Sequence, residues 1–488
     1  MTIDRQFSHG LRWVAGSRLL GQLVSWVGTI YVMRTLVPHD YGLAAICSTV
    51  LAITSMVSEV GIGAGIIQAE KVNDRQLRSI FGVALMLAFC ATSLVTFSAP
   101  WLAIFFNAPE AVPLIRVASL QLLLSPLTTI PEAYLLRDLR FRSTALTDFS
   151  VAIASSTTTV SLAWSGAGVW ALIIGPLVGG TLRVLILQTL SPHLILPSFD
   201  PRPARGLVGF GSKIATSRVA SYLFSQSDVL IASRALTKSA LGEYSVAMNL
   251  AMLPVSKVMS VVNSVTYPTI ARMNRNKVDI PARMLSAMRL FGYCVIPVLW
   301  GMSAVAPWLI QALIGDAWAN AVLPLQIVCL AMPARLMGAL LSSVVQGLGH
   351  AGLDVRNTVT GVIVMPVCFL VGAQFGASGL ALAWMIGLPC VVAINVHHSR
   401  HVLGVTLLQL LRAFSKPLCF SGLMALNVYV FGHWAAAHFA AMLVLPLCIL
   451  LGITLYLGFF YFFDRATLRT LLAILRPNKE GPPAPDEI

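Results

Sequence analysis

Apolar stretches of roughly 20 residues or more follow one another along the chain, divided by short polar breaks. They predict about fourteen bilayer-crossing helices, over 9–36, 41–69, 78–104, 111–135, 143–165, 168–190, 207–236, 240–269, 284–314, 321–346, 355–375, 377–397, 408–432 and 436–463. After Phe463, "DRATLRTLLAILR" reads as a short amphipathic helix on the inner surface. "PNKEGPPAPDEI" reads as a Pro-rich, charged, disordered tail.

Composition supports the bilayer as solvent. The 488 residues are 57% hydrophobic and 11% charged, with mean hydropathy +0.81, against about 25% charged in a soluble domain. No room is left for a large soluble domain. The expectation is an all-α polytopic membrane protein. The start lacks a short apolar core with a small-residue cleavage site, so it reads as a retained first span. The eight cysteines all lie in apolar stretches without CxxC pairing and read as small buried residues.

Charge sets the orientation. With the N-terminus in the cytoplasm, the inner loops carry Lys71, Arg75, Arg78, Arg137, Arg140, Arg142, Arg202, Arg205, Arg272, Arg275, Lys277, Arg283, Arg356, Arg400 and Arg412, and the tail adds more. The outer connections are short and nearly free of Lys and Arg, with Lys238 the main exception. Both termini are therefore expected in the cytoplasm. The net charge of +14 follows from this positive-inside bias. No basic run interleaved with aromatics suggests nucleic acid.

One segment recurs. "SRLLGQLVSWVGTIYVMRTL" (17–36) and "SRVASYLFSQSDVLIASRAL" (217–236) share Ser17/Ser217, Arg18/Arg218, Leu23/Leu223, Ser25/Ser225, Arg34/Arg234 and Leu36/Leu236. The spans lie six apart and so run in the same direction, implying two parallel six-helix halves. The expected organisation is an N-lobe over 1–204, a C-lobe over 205–404, two extra helices over 405–463 and a cytoplasmic tail over 464–488.

Arginine at a span centre costs about 2.5–3.5 kcal/mol or more. Snorkelling partly explains Arg12, Arg34, Arg116, Arg183, Arg234 and Arg289. It does not explain Arg18, Arg218, Lys257 or Arg335, of which Arg18 sits about 15 Å into its helix. Pro333 is expected to break or kink the helix that carries Arg335. The deep acids are fewer: Glu59, Asp148 and Asp228. An Arg18–Glu59 ion pair is one reading. The favoured one is a wet cavity between the halves, lined by cations that await an anion. "HHSRH" (397–401) lacks a third metal ligand and reads as headgroup contact. "GFGSK" (209–213) lacks phosphate-loop spacing. No Walker motif and no long outer loop is present, so no cofactor, no metal and no enzymatic chemistry is expected.

The order of features resembles the Wzx-type polysaccharide transporters of the multidrug/oligosaccharidyl-lipid/polysaccharide exporter superfamily. The resemblance runs from about Phe7 to His401, through "SEVGIGAGIIQ", "LLRDLRFR", "GVWAL", "LIGDAWANAVLPLQI" and "VVQGLGHAG". It implies export of an undecaprenyl-diphosphate-linked oligosaccharide across the bacterial inner membrane, for exopolysaccharide, capsule or O-antigen, by two lobes opening alternately. A polysaccharide polymerase and a chain-length regulator are the implied partners, beside membrane lipids. A related lipid-linked peptidoglycan-precursor flippase places lipid by its last two spans, and here Leu418–Phe463 holds no charged residue.

On this reading Arg18 and Arg218 contact the diphosphate, with Lys257 and Arg335 supporting. Arg34 and Arg234 receive it near the outer rim. Glu59 and Asp228 hold or release the cations, and proton or sodium coupling through them stays open. The competing classes are a drug/cation antiporter of the same superfamily, which wants deep carboxylates and aromatics, and a membrane protein with no transport role.

Overall fold

Helix is the only regular structure that lets a lone apolar segment satisfy its own backbone in lipid. In this computed structural model the described residues are 21–58, 74–137, 140–190, 197–200, 222, 226–275 and 280–465, and no strand occurs among them. The helices are α1 (21–35), α2 (Pro38–Ser58), α3 (Asp74–Phe105), α4 (Ala111–Ser119), α5 (Gln121–Arg137), α6 (Phe141–Trp164), α7 (Trp170–Leu190) and α8 (226–235). They continue with α9 (Lys238–Arg275), α10 (Ile280–Leu313), α11 (Val322–Gly347), α12 (Ala351–Gly372), α13 (Gly376–Leu403), α14 (Leu407–Ala436) and α15 (Ala441–Phe463). Among the described residues, eight stretches are long and apolar enough to cross a membrane. The last of them, Leu443–Phe463, exposes Leu443, Leu450, Ile453, Leu457 and Phe462. Such a surface is stable only against lipid. The chain is an all-helical, multi-pass membrane protein. Parts of the first, second and seventh expected spans lie outside the described residues.

The turns have local causes. Pro38 opens α2, where its missing N–H costs nothing and its fixed φ suits a helix. α3 and α10 both stop before a residue in the left-handed region, Asn107 (φ 50) and Gly315 (φ 103). Thr406 begins α14 with a capping box, its hydroxyl accepting from Gln409 N. α11 runs unbroken through Pro333, where a break was one expectation.

The chain divides into two compact units. The first takes the residues up to Val246 with Leu313–Asn320 and Met365–Leu380. Within it α6 packs along α7. Gly175 and Gly179, one turn apart on α7, lie against Thr159 and Ser155 of α6. Small residues let the backbones close where no hydrophobic drive exists between helices in lipid. α6 carries many hydroxyls. Thr157 and Thr159 donate theirs to the carbonyls of Ile153 (2.6 Å) and Ser155 (2.8 Å), so neither faces hydrocarbon unpaired.

The second unit takes Ala247–Ala312, Ala321–Val364 and the residues from Ala381 onward. α14 and α15 close on α10 through two aromatic clusters. Trp308 lies over Gly432, and Tyr293 packs edge-on to Phe460 with centroids 4.4 Å apart. The Tyr293 hydroxyl donates to Asp464 Oδ2 at 2.7 Å, and Lys416 Nζ lies 3.7 Å from the same oxygen.

A Cβ at position 432 would enter the Trp308 ring. Gly432→Val is expected to displace that indole and destabilise the second unit by about 1–3 kcal/mol, measured as a lowered Tm of detergent-purified protein. An unchanged Tm would refute the contact.

Candidate functional site

The basic side chains expected to face anions divide into three groups. Arg18, Arg218 and the acid Glu59 lie outside the described residues. Lys257 and Arg335 belong to the second unit. Lys257 is exposed on α9. Arg335, half-buried on α11, sits with its guanidinium carbon 5.0 Å from the ring centroid of the fully buried Trp384. That contact holds the cation against an aromatic face, an attraction that strengthens away from water.

Nearby, a small, partly open apolar pocket is lined by Val258, Phe291, Pro333, Leu336, Met337 and Phe414, among other apolar residues. Pro333, Leu336 and Met337 recur at helical spacing, so the pocket meets one face of α11 while Arg335 projects from another. Its apolar walls suit hydrocarbon, not phosphate.

Arg34 and Arg234 belong to the first unit, with the turns that follow α1, α3, α8 and α10. Arg34, near the end of α1, donates from Nε to the carbonyl of Leu313 at 2.8 Å. Arg234, near the end of α8, donates to the carbonyl of Phe105 and lies with its guanidinium carbon 4.9 Å from the Phe105 ring centroid. Leu313 and Phe105 are the last residues of α10 and α3. The last carbonyls of a helix lack partners within it and carry the negative end of its dipole. Each arginine therefore meets the group at a helix terminus that most favours a cation. Lys238 Nζ adds a bond to the carbonyl of Phe106, and His39 Nε2 lies 3.1 Å from Glu110.

Beside them Trp318, fully buried, donates from Nε1 to Met33 O at 2.8 Å and packs edge-on to Tyr41. Asp228, 1% exposed, accepts from the Tyr244 hydroxyl at 2.6 Å. Asn320 donates to Glu243 at 3.1 Å.

Arg183 departs from the snorkelling expected of it. It donates from Nε to Glu132 Oε1 at 2.6 Å and pairs through Nη1 with Asp148 at 3.0 Å. One guanidinium thus holds two carboxylates from α5 and α6. Sequence reasoning marks Asp148 as a deep acid but misses Glu132, although an acid after Pro131 inside an apolar run demands a partner.

The profile of a family described as "Polysaccharide biosynthesis protein" matches residues 31–323. The chain belongs to that family. Its relatives include the succinoglycan biosynthesis transport protein ExoT of Rhizobium meliloti (strain 1021), 25% identical over 451 residues that make up 91% of each chain. Another is the lipopolysaccharide biosynthesis protein WzxC of Escherichia coli (strain K12), 21% identical, covering 79% of each. The fold is that of the lipid II flippase MurJ in an inward closed conformation, with TM-score 0.76 and 16% identity over 93% of this chain and 99% of that one. An inward-facing MATE multidrug transporter of the MOP superfamily also matches, with TM-score 0.60 and 14% identity over 79% of this chain and 94% of that one.

Removing the cation of the Arg183 group leaves two carboxylates facing each other. Arg183→Ala is expected to cost about 2 kcal/mol, below the figure for fully buried pairs because the group is partly exposed. Adding Glu132→Gln and Asp148→Asn to that variant is expected to restore most of the loss, read from thermal unfolding. A triple variant no better than Arg183→Ala would refute the account.

Proposed function

We propose that the protein is a flippase: it carries an undecaprenyl-diphosphate-linked oligosaccharide across the bacterial inner membrane, catalyses no covalent step, and has both termini in the cytoplasm. The observation that carries this reading is the combination of a full-length fold match to a lipid II flippase with 91% coverage of a relative named for succinoglycan transport. Fourteen spans in two parallel six-helix lobes, 1–204 and 205–404, with helices over 405–463 added, are part of it. A polysaccharide polymerase and a chain-length regulator are the partners that this product requires.

The chemistry of the cargo explains the cations. A diphosphate loses its hydration when it leaves the leaflet surface. Guanidinium forks replace that shell bidentately. Arg18 and Arg218, at matched positions of the repeat, contact the diphosphate, with Lys257 and Arg335 adding positive potential. Glu59 and Asp228 hold these cations when no cargo is bound. The sugars occupy a polar chamber, and the polyprenyl chain stays in hydrocarbon. Outward movement of about two negative charges down an inside-negative potential of about 100 mV releases roughly 4–5 kcal/mol. The potential itself therefore helps to drive export.

The MATE-like fold keeps a drug/cation antiporter as the second reading. The excess of basic over acidic residues predicted at depth argues against it, because a cationic drug wants the opposite lining.

Deleting the gene in its host is expected to abolish surface polysaccharide and leave lipid-linked precursor on the cytoplasmic leaflet. Arg18→Ala and Arg218→Ala are each expected to lower export about tenfold or more at unchanged protein level, since a charge-assisted hydrogen bond contributes about 1.5–3 kcal/mol. Normal export from both variants would defeat the site assignment. Ethidium efflux without any glycan phenotype would favour the antiporter. In reconstituted vesicles, flipping that ignores a valinomycin-clamped potential would defeat the electrical drive.

A further inference from the structure

The two arginines at the outer turns do the same thing twice. Arg34 grips the last carbonyl of α10, and Arg234 grips the last carbonyl of α3. The recurrence that pairs Arg34 with Arg234 in sequence thus recurs in contacts: the first copy reaches the second half of the chain, and the second copy reaches the first. Both acceptor helices end the same way, two residues before a left-handed residue, Asn107 or Gly315.

A second pair is reciprocal too. Gly42, fifth residue of α2, faces the carbonyl of Lys238, and Gly242, fifth residue of α9, faces the carbonyl of Pro38. A Cβ on either glycine would collide with that backbone. Position i meets j while j meets i, which is the signature of contact about a two-fold axis. Trp318, wedged beside Met33 and Tyr41, fills the same region.

We propose that this cluster is the outer gate of the transporter, with Gly42 and Gly242 as its close-packed pivot and Arg34 and Arg234 as two equivalent latches that hold it shut. The proposal rests on the transport reading above and adds to it which residues close the outer side. The latches suit reversible use. Each is a charge-assisted bond to a carbonyl at an exposed rim, strong enough to bias an equilibrium and weak enough to break. Opening releases both guanidiniums where a departing diphosphate passes, so one pair of side chains serves as latch in one state and anion ligand in the next.

Double electron–electron resonance on the full chain in nanodiscs tests this without any substrate. Nitroxides at Asn107 and Ala235, both exposed at the outer turns, report closure as a short distance. Wild-type protein is expected to show mainly that distance. Arg34→Gln and Arg234→Gln are each expected to raise the ratio of long to short distance about tenfold. The double variant is expected to raise it about a hundredfold, since two independent bonds on one equilibrium multiply. Arg34→Lys with Arg234→Lys, keeping the charge at each helix end, should fall between. An unchanged distribution in the double Gln variant, or a wild type showing only the long distance, would overturn the proposal.

A second measurement reads export itself, with the unbridged double-cysteine protein as the reference for folding and activity. In an otherwise cysteine-free chain, Tyr41→Cys with Trp318→Cys, bridged by a short bifunctional thiosulfonate, is expected to stop glycan export, and a reducing agent is expected to restore it. Export that continues while the bridge is intact would also overturn the gate. If distances shift as expected but the gene deletion leaves surface glycan intact, the gate stands and the flippase reading falls.

Discussion

A polar group within a membrane helix, or at its end, needs a partner, and most of what is distinctive in this protein answers that demand. Hydroxyls on α6 fold back onto their own backbone. Arg34 and Arg234 cap the ends of α10 and α3. Tyr244 donates to Asp228, and Tyr293 donates to Asp464. Arg183 donates to both Glu132 and Asp148 and offsets one of their two charges. Beyond α6, each partner comes from another element, so polar satisfaction ties helices together where hydrophobic burial cannot.

The same demand shapes the proposed transport cycle. A guanidinium bound to a carbonyl exchanges it for phosphate with little change in its own solvation, because both are oxygen acceptors and phosphate is the better one. Moving a diphosphate through the membrane then becomes a sequence of partner exchanges, none leaving a bare charge. Small residues at the contacts matter for the same reason. Where Gly42 and Gly242 bring two helix starts together, backbone meets backbone and no long side chain has to be reordered when the contact parts.

Much of the architecture is legible in the amino-acid sequence. The apolar runs point to an all-helical polytopic membrane protein, and the resemblance to polysaccharide transporters points to a polysaccharide-biosynthesis family; the fold and the family profile agree on these two. The match of Arg34 with Arg234 is visible as a repeat, but its purpose is not: a backbone carbonyl leaves no trace in side-chain identity, so Leu313 and Phe105 carry no signal. Arg183 reads as a snorkelling side chain because its acids stand 51 and 35 residues away. Arg335 reads as a kinked-helix cation, yet an aromatic partner on α13 holds it.

The amino-acid sequence alone determined the solvent and the helical class, and it predicted an orientation by charge and a doubling of the chain. These follow from totals and periods along one segment at a time: apolar length against bilayer thickness, basic residues against the inner surface, identity at a fixed spacing. Tertiary structure alone decided which group each charge meets. Those choices depend on which helix ends come within about 3 Å of each other, and that is a property of packing between distant segments, not of any one of them.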